Sequence, residues 1–319
     1  MESFRGFHHV GFFFGFVLDE LIERHPARFD PISLNPVWKE QIMKRIPKLS
    51  MATITLATWL LVGQAGMAQT IPAESATNNG EPQQRTIDDA IELAGTHRTG
   101  LKQVKDYTAV FTKTELVGNK VIKQSMDIKC RHEPFSVYLH NRFGKEGSRE
   151  VLYVTGANDG DLLVHERGFL ASLVGTQKLK LDDTLVMAEN RYPITDFGVA
   201  RIVDKSLDTW QAEKKSDLQN IEVRIYSQAK IGATPCEMIE VTRKHKKADF
   251  HCSLTRVYFV SESKLPIRAE QFGWPEKTGD KPPLIEVYDY ADIKVNVGLT
   301  DTDFDPQNPK YGFGGSKRR

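Results

Sequence analysis

From Tyr107 onward the hydrophobic period is two, and this constrains the fold more than any other feature of the chain. In YTAVFTKTELV (107–117) threonine, valine and aromatic residues predominate, and Gly118-Asn119 supplies a turn. In the next stretch Ile122, Met126, Ile128 and Cys130 fall on one face while Lys123, Asp127 and Lys129 fall on the other. A hairpin with one buried face is therefore expected. Further strands are predicted at 135–141, 149–155, 161–166 and 169–174, with GANDG (156–160) as a turn. A helical interruption follows, LDDTLVMAEN (181–190) and then residues 195–215, broken apart at Tyr192-Pro193. Strands resume at 220–228, 235–244, 253–262, 266–274 and 284–296.

Before the strands, Thr86-Ile87-Asp88-Asp89 has the form of a capping box, and Ile87, Ile91, Ala94, Leu101 and Val104 recur near helical spacing. A helix over about 87–104 is predicted, weakened at Gly95 or Gly100. One helix, a run of strands, a helical insertion and more strands place the chain in the α+β class. The expected architecture is a strongly curved antiparallel sheet with helices on one face, formed by residues 86–306 as a single domain.

Residues 43–69, MKRIPKLSMATITLATWLLVGQAGMAQ, have the three parts of an export signal. Lys44, Arg45 and Lys48 give the positive start, Met51–Val62 the apolar centre, and Gly66-Met67-Ala68 the small residues at the cut. Residues 43–68 are accordingly read as a signal peptide cleaved after Ala68, with Met43 as the true start and residues 1–42 as an upstream or mis-started extension. The competing reading is an inner-membrane anchor over residues 49–72, which are uncharged. Gln69–Arg85 reads as a flexible linker and residues 307–319 as a flexible tail. A periplasmic or exported protein is expected.

The charge, 43 basic against 42 acidic residues, gives no sign of a nucleic-acid binder. Three cysteines, Cys130, Cys236 and Cys252, are too few for a disulfide scaffold. One pair or three buried thiols are both open. The histidines lack metal-ligand spacing, and no nucleophile elbow, phosphate loop or dinucleotide fingerprint occurs. Neither a cofactor nor an enzymatic activity is indicated. The acidic pairs at 88–89 and 182–183 and the aspartates at 301, 303 and 305 sit at helix starts and turns, where capping explains them.

DYTAVFTKTE (106–115), KCRHEPFSVYLH (129–140), EVLYVTGANDGDLLVHE (150–166), VYFVSESKLPIRAEQF (257–272) and YADIKVNVGLTDTDFDP (290–306) resemble the outer-membrane lipoprotein-sorting carriers of the LolA and LolB type. The chain is still more similar to a family of exported bacterial proteins described only as a domain of unknown function, RYPITDFG (191–198) being its most individual segment. The resemblance implies a half-barrel lidded by helices that holds lipid or lipoprotein acyl chains in its hollow, for carriage or sensing. It further implies a basic residue before a strand-edge proline that contacts the lid, and Arg131, ahead of Pro134, is the matching position, though His132 and Glu133 widen the spacing. Phe111, Phe135, Val137, Leu139, Leu152, Val154, Phe259 and Phe272 are the residues expected to line the hollow. The alternative is an envelope interaction or sensor protein whose half-barrel is plugged by its own side chains and carries no ligand.

Overall fold

In a computed structural model, the residues described are 76–78, 80–142, 149–166, 175–277 and 279–314. The signal-like segment and the strand expected at 169–174 lie outside them. Among the described residues, thirteen antiparallel strands form one open sheet. In chain order they are β1 (Ala76–Asn78), β2 (Gln83–Arg85), β3 (Asp106–Val117), β4 (Lys120–His132), β5 (Phe135–Asn141), β6 (Arg149–Val154), β7 (Leu162–Glu166), β8 (Gln177–Leu179), β9 (Ile221–Ile231), β10 (Thr234–Arg243), β11 (Leu254–Val260), β12 (Pro266–Phe272) and β13 (Leu284–Val295). The order across the sheet is β1-β9-β10-β11-β12-β13-β3-β4-β5-β6-β7-β8, with β2 also on β9. Most neighbours across the sheet are also sequential in the chain; the long-range pairings are β1 and β2 on β9 and β13 on β3, the last with Tyr290 opposite Phe111 and Glu286 opposite Glu115.

Two long helices cover the concave face. In α1 (Ile87–Gly100) the capping box forms as expected: Asp89 N–H donates to Thr86 Oγ1 at 3.2 Å, and Thr86 N–H donates to Asp89 Oδ2 at 2.8 Å. Its buried stripe is Ile87, Ala90, Ala94 and His97. A short helix, α2 (Thr184–Met187), precedes α3 (Val199–Asp217), whose buried face is Val199, Val203, Trp210 and Glu213. Gly198, at φ +113°, starts α3, and a Cβ there would stand 3.0 Å from the Tyr107 hydroxyl. That hydroxyl accepts the Val199 N–H at 3.2 Å, so the start of α3 is seated on β3.

Two expectations are corrected. Within the stretch read as a linker, Gln83–Arg85 adds to the sheet beside Ile225–Val223, because the edge strand β9 offers an unpaired backbone. Residues 307–314, read as part of a flexible tail, form a strap instead. Tyr311 stacks on Tyr138 with ring centroids 4.1 Å apart, and Phe313 and Phe304 bury against Tyr138 and Leu152 on the convex face. Buried Glu150 holds the strap, accepting the Gly312 N–H at 2.5 Å and the Tyr138 hydroxyl at 3.0 Å.

The three cysteines are free and buried. Burial pushes the Cys130 thiol up to about 12 and the Cys252 thiol up to about 11, which keeps both protonated and unreactive. None of the described helices is long and apolar enough to cross a membrane.

Candidate ligand-binding site

The hollow of the sheet is walled by alternate residues of successive strands. Tyr107, Phe111, Ile128, Val137, Val223, Ile239, Val257, Phe259 and Tyr290 form one apolar cluster with Ala90 and Ala94 of α1 and Val199, Val203 and Trp210 of α3. Side chains of the helices therefore pack into the hollow. Trp210, 1% exposed, is the largest of them. The wall is aromatic at its centre, where Phe111 meets Phe197 edge-on at 4.9 Å and Tyr290 at 4.8 Å.

Charged side chains help fix the helix layer. Arg243 of β10 and Glu213 of α3 form a bidentate pair, with Nη2 to Oε2 at 2.7 Å and Nε to both oxygens at 3.1 Å. His97 of α1 reaches Glu237 of β10 at 3.1 Å, and this contact holds the Glu237 carboxyl below the usual carboxylate range. Arg98 of α1 binds both oxygens of Asp204 of α3 at 2.5 and 3.2 Å, so the two helices are tied to each other as well as to the sheet.

Toward the ends of β3 and β13 the same wall turns polar. Lys113 and Glu115 of β3 continue the inward row begun by Tyr107 and Phe111, and across the ladder Tyr288 and Glu286 of β13 face them. Lys113, Glu115 and Glu286 are 4%, 2% and 2% exposed. The chain before α3 packs onto this patch. Lys113 Nζ donates to Glu115 at 2.8 Å, to the Glu189 carbonyl at 2.9 Å and to the Asn190 side-chain oxygen. Arg191 Nε lies 2.7 Å from Glu286, off the line of a good hydrogen bond, while its Nη1 donates to the Leu116 carbonyl at 3.0 Å. The Tyr192 hydroxyl donates to Glu286 at 3.1 Å, and the Tyr288 hydroxyl donates to Glu115.

Desolvation dominates the titration of these groups. It pushes Glu286 up to about 7, with Arg191 opposing the shift and the facing Glu115 adding to it. It also lowers Lys113, outweighing the ion pair with Glu115. Like charges directly opposite on neighbouring strands are unfavourable, and the arrangement persists because Arg191, Lys113 and two tyrosines supply partners.

Of the residues expected to line the hollow, Phe111, Val137 and Phe259 are in its core, and Phe135 and Leu139 pack against it. The other three face the opposite way. Leu152 and Val154 lie under the strap with Phe304, and Phe272 packs with Leu284 and Val287 on the convex side. On β6 both alternating rows turn apolar after Arg149 and Glu150 because both faces are covered, so period alone could not assign the inward row; Val151, opposite Leu139, holds that position. Arg131 does not contact the helices. Its guanidinium binds Asp301 at 2.7 Å and Ser136 at 3.2 Å and stacks 4.9 Å from the Phe304 ring, which anchors the strap rather than a lid. Sequence reasoning missed the polar patch. Its signal was present in Lys113-Thr114-Glu115, where charges occupy the same alternate positions as Tyr107 and Phe111.

No curated protein matches the sequence. Among solved structures, the lipoprotein LppX of Mycobacterium tuberculosis is 12% identical, with 68% of this chain and all 100% of that one aligned at a TM-score of 0.36. LprF from Mycobacterium bovis is 11% identical over 69% of this chain and 97% of its own, at 0.37. A putative outer membrane lipoprotein-sorting protein domain from Vibrio parahaemolyticus is 9% identical over 69% and 97%, at 0.27. The family described as "Protein of unknown function (DUF1571)" matches over residues 104–313, from the end of the first helical segment to the strap, and the chain belongs to that family.

Proposed function

We propose that the protein is an exported binding protein of the lipoprotein-carrier type, closed when the helices are seated in the hollow, which takes an acyl chain into that hollow when the helix layer moves aside. The observation that carries this reading is the continuous apolar wall from Val137 through Phe111 and Tyr290 to Phe259, covered by helices and not by a second sheet. Each CH₂ that replaces a helix side chain on that wall regains about 0.8 kcal/mol, so an acyl chain of ordinary length can offset the loss of helix contacts. The protein's proposed location is the periplasm, where the signal-like segment at 43–68 would deliver it.

A second reading is favoured by one specific contact. The fully desolvated Arg243–Glu213 pair pins α3 to β10, and a helix fixed in this way suits a half-barrel that is permanently plugged and acts through its outer surface in the envelope. Native mass spectrometry of protein purified from the envelope separates the two. Lipid released on denaturation, or uptake of an added fluorescent fatty acid, supports the carrier reading; neither release nor uptake supports the plugged one.

A further inference from the structure

Resting on the carrier reading, we infer that the polar patch of Lys113, Glu115, Glu286 and Tyr288 is a headgroup site for a cationic amphiphile, occupied in the closed state by the chain's own Asn190-Arg191-Tyr192 as an internal stand-in for the ligand. The patch adjoins the apolar wall on the same strands: Phe111 is two residues from Lys113, and Tyr290 is two residues from Tyr288. A tail on that wall therefore places its head at the patch.

The contacts made by the internal segment define the chemistry of that head. Lys113 receives acceptor oxygens, the Glu189 carbonyl and the Asn190 amide oxygen. Glu286 receives a guanidinium and a hydroxyl donor, from Arg191 and Tyr192. These partners all come from the segment that leads into α3, so movement of the helix layer withdraws them together. The patch itself then holds one cation, Lys113, against two carboxylates, Glu115 and Glu286. Neighbouring Arg149 stays paired with Glu166, 2.6 Å away, after Glu189 is withdrawn. Without Arg191 the Glu286 carboxyl, already pushed up to about 7 beside it, is protonated at neutral pH, and a bound cation restores its ionised pair; the same head must carry a carbonyl oxygen for Lys113. An acyl chain joined through an amide to a basic head meets all of these requirements. A fatty acid does not, because its carboxylate would meet Glu286.

The test is calorimetric titration of the full chain with Nα-lauroyl-arginine ethyl ester, with its neutral isostere Nα-lauroyl-citrulline ethyl ester, and with dodecanoate. The arginine ester is expected to bind at least about tenfold more tightly than the other two, the low end of what a close desolvated charge pair contributes. Glu286→Gln should abolish that preference. Arg191→Ala, which removes the internal occupant, should tighten binding of the arginine ester; it decides the matter if the Glu286 variant does not fold. Equal binding of all three probes, or an unchanged preference in the variants, overturns the headgroup site and leaves the acyl-binding reading intact. Binding of none overturns both.

Discussion

Arg243 on β10 and Glu213 on α3 bury a two-pronged ion pair, their side chains 0% and 3% exposed, at the C-terminal half of the helix that covers the hollow. Because Arg243 also donates to the Val241 carbonyl and to Thr255, each at 3.0 Å, the guanidinium is held by the sheet and the carboxylate comes to it. This end of α3 is the fixed one. The opposite end rests on a neutral hydrogen bond from Val199 to Tyr107, on the segment lying over Glu286, and on the Arg98–Asp204 pair, which ties it to α1 and not to the sheet.

Removing one partner of that pair leaves a charge stranded in the core. Glu213→Leu or Arg243→Met alone is expected to cost about 3–5 kcal/mol, whereas the double variant should recover most of the loss. Urea denaturation of the three variants measures it.

The raised Glu286 carboxyl gives a pH dependence of definite sign. A carboxyl whose pKa rises from 4.5 to about 7 on folding adds stability below the lower value and loses it as pH climbs through the upper one. The groups facing it are Glu115, Arg191, Tyr192 and Tyr288. Glu286→Gln, relative to the parent, should therefore gain on the order of 2 kcal/mol between pH 5 and pH 8. Thermal melts across that range check the slope; a difference that does not change with pH would show that the carboxyl keeps its ordinary pKa.

Gly312 is where the strap passes closest to the sheet. A Cβ at this position would stand 2.4 Å from the His165 ring and 2.9 Å from the Glu150 carboxylate. Gly312→Ala should lift the strap, cost about 1–3 kcal/mol and expose Tyr138 and Leu152. Faster amide exchange confined to β6 and β7 would record it.

Trp210 fills the space between α3 and the wall of the hollow. Its replacement by Ala should destabilise the protein by about 3–5 kcal/mol through the void left behind. On the carrier reading the same void strengthens uptake of a fluorescent fatty acid, so stability and affinity should move in opposite directions.

The strands were legible where one face was apolar and the other charged. Met126, Ile128 and Cys130 mark the inward row of β4, and β5 runs over Phe135–Asn141 as its sequence implies. The second helix was legible from Ile202, Leu207 and Trp210. What local pattern could not convey were contacts across long separations. Tyr311 and Phe313 sit in a run of Pro, Asn, Lys and Gly that reads as a tail, and only their meeting with Tyr138, far away in the chain, makes them a strap. The polar patch escaped for a related reason. Lys113, Glu115 and Glu286 look like solvated strand residues until β13 closes onto β3 and residues 189–192 are laid across them. Gln83–Arg85 and Gln177–Leu179 carry no apolar alternation and join the sheet through backbone pairing alone.

Hydrogen exchange of the full chain with and without saturating Nα-lauroyl-arginine ethyl ester tests the displaceable helix layer most directly. Amides of Val199–Trp210 are expected to lose protection on binding while β3, β4 and β9–β11 keep theirs. Unchanged protection of α1 and α3 with the ligand bound would contradict it, because the hollow would then have admitted nothing.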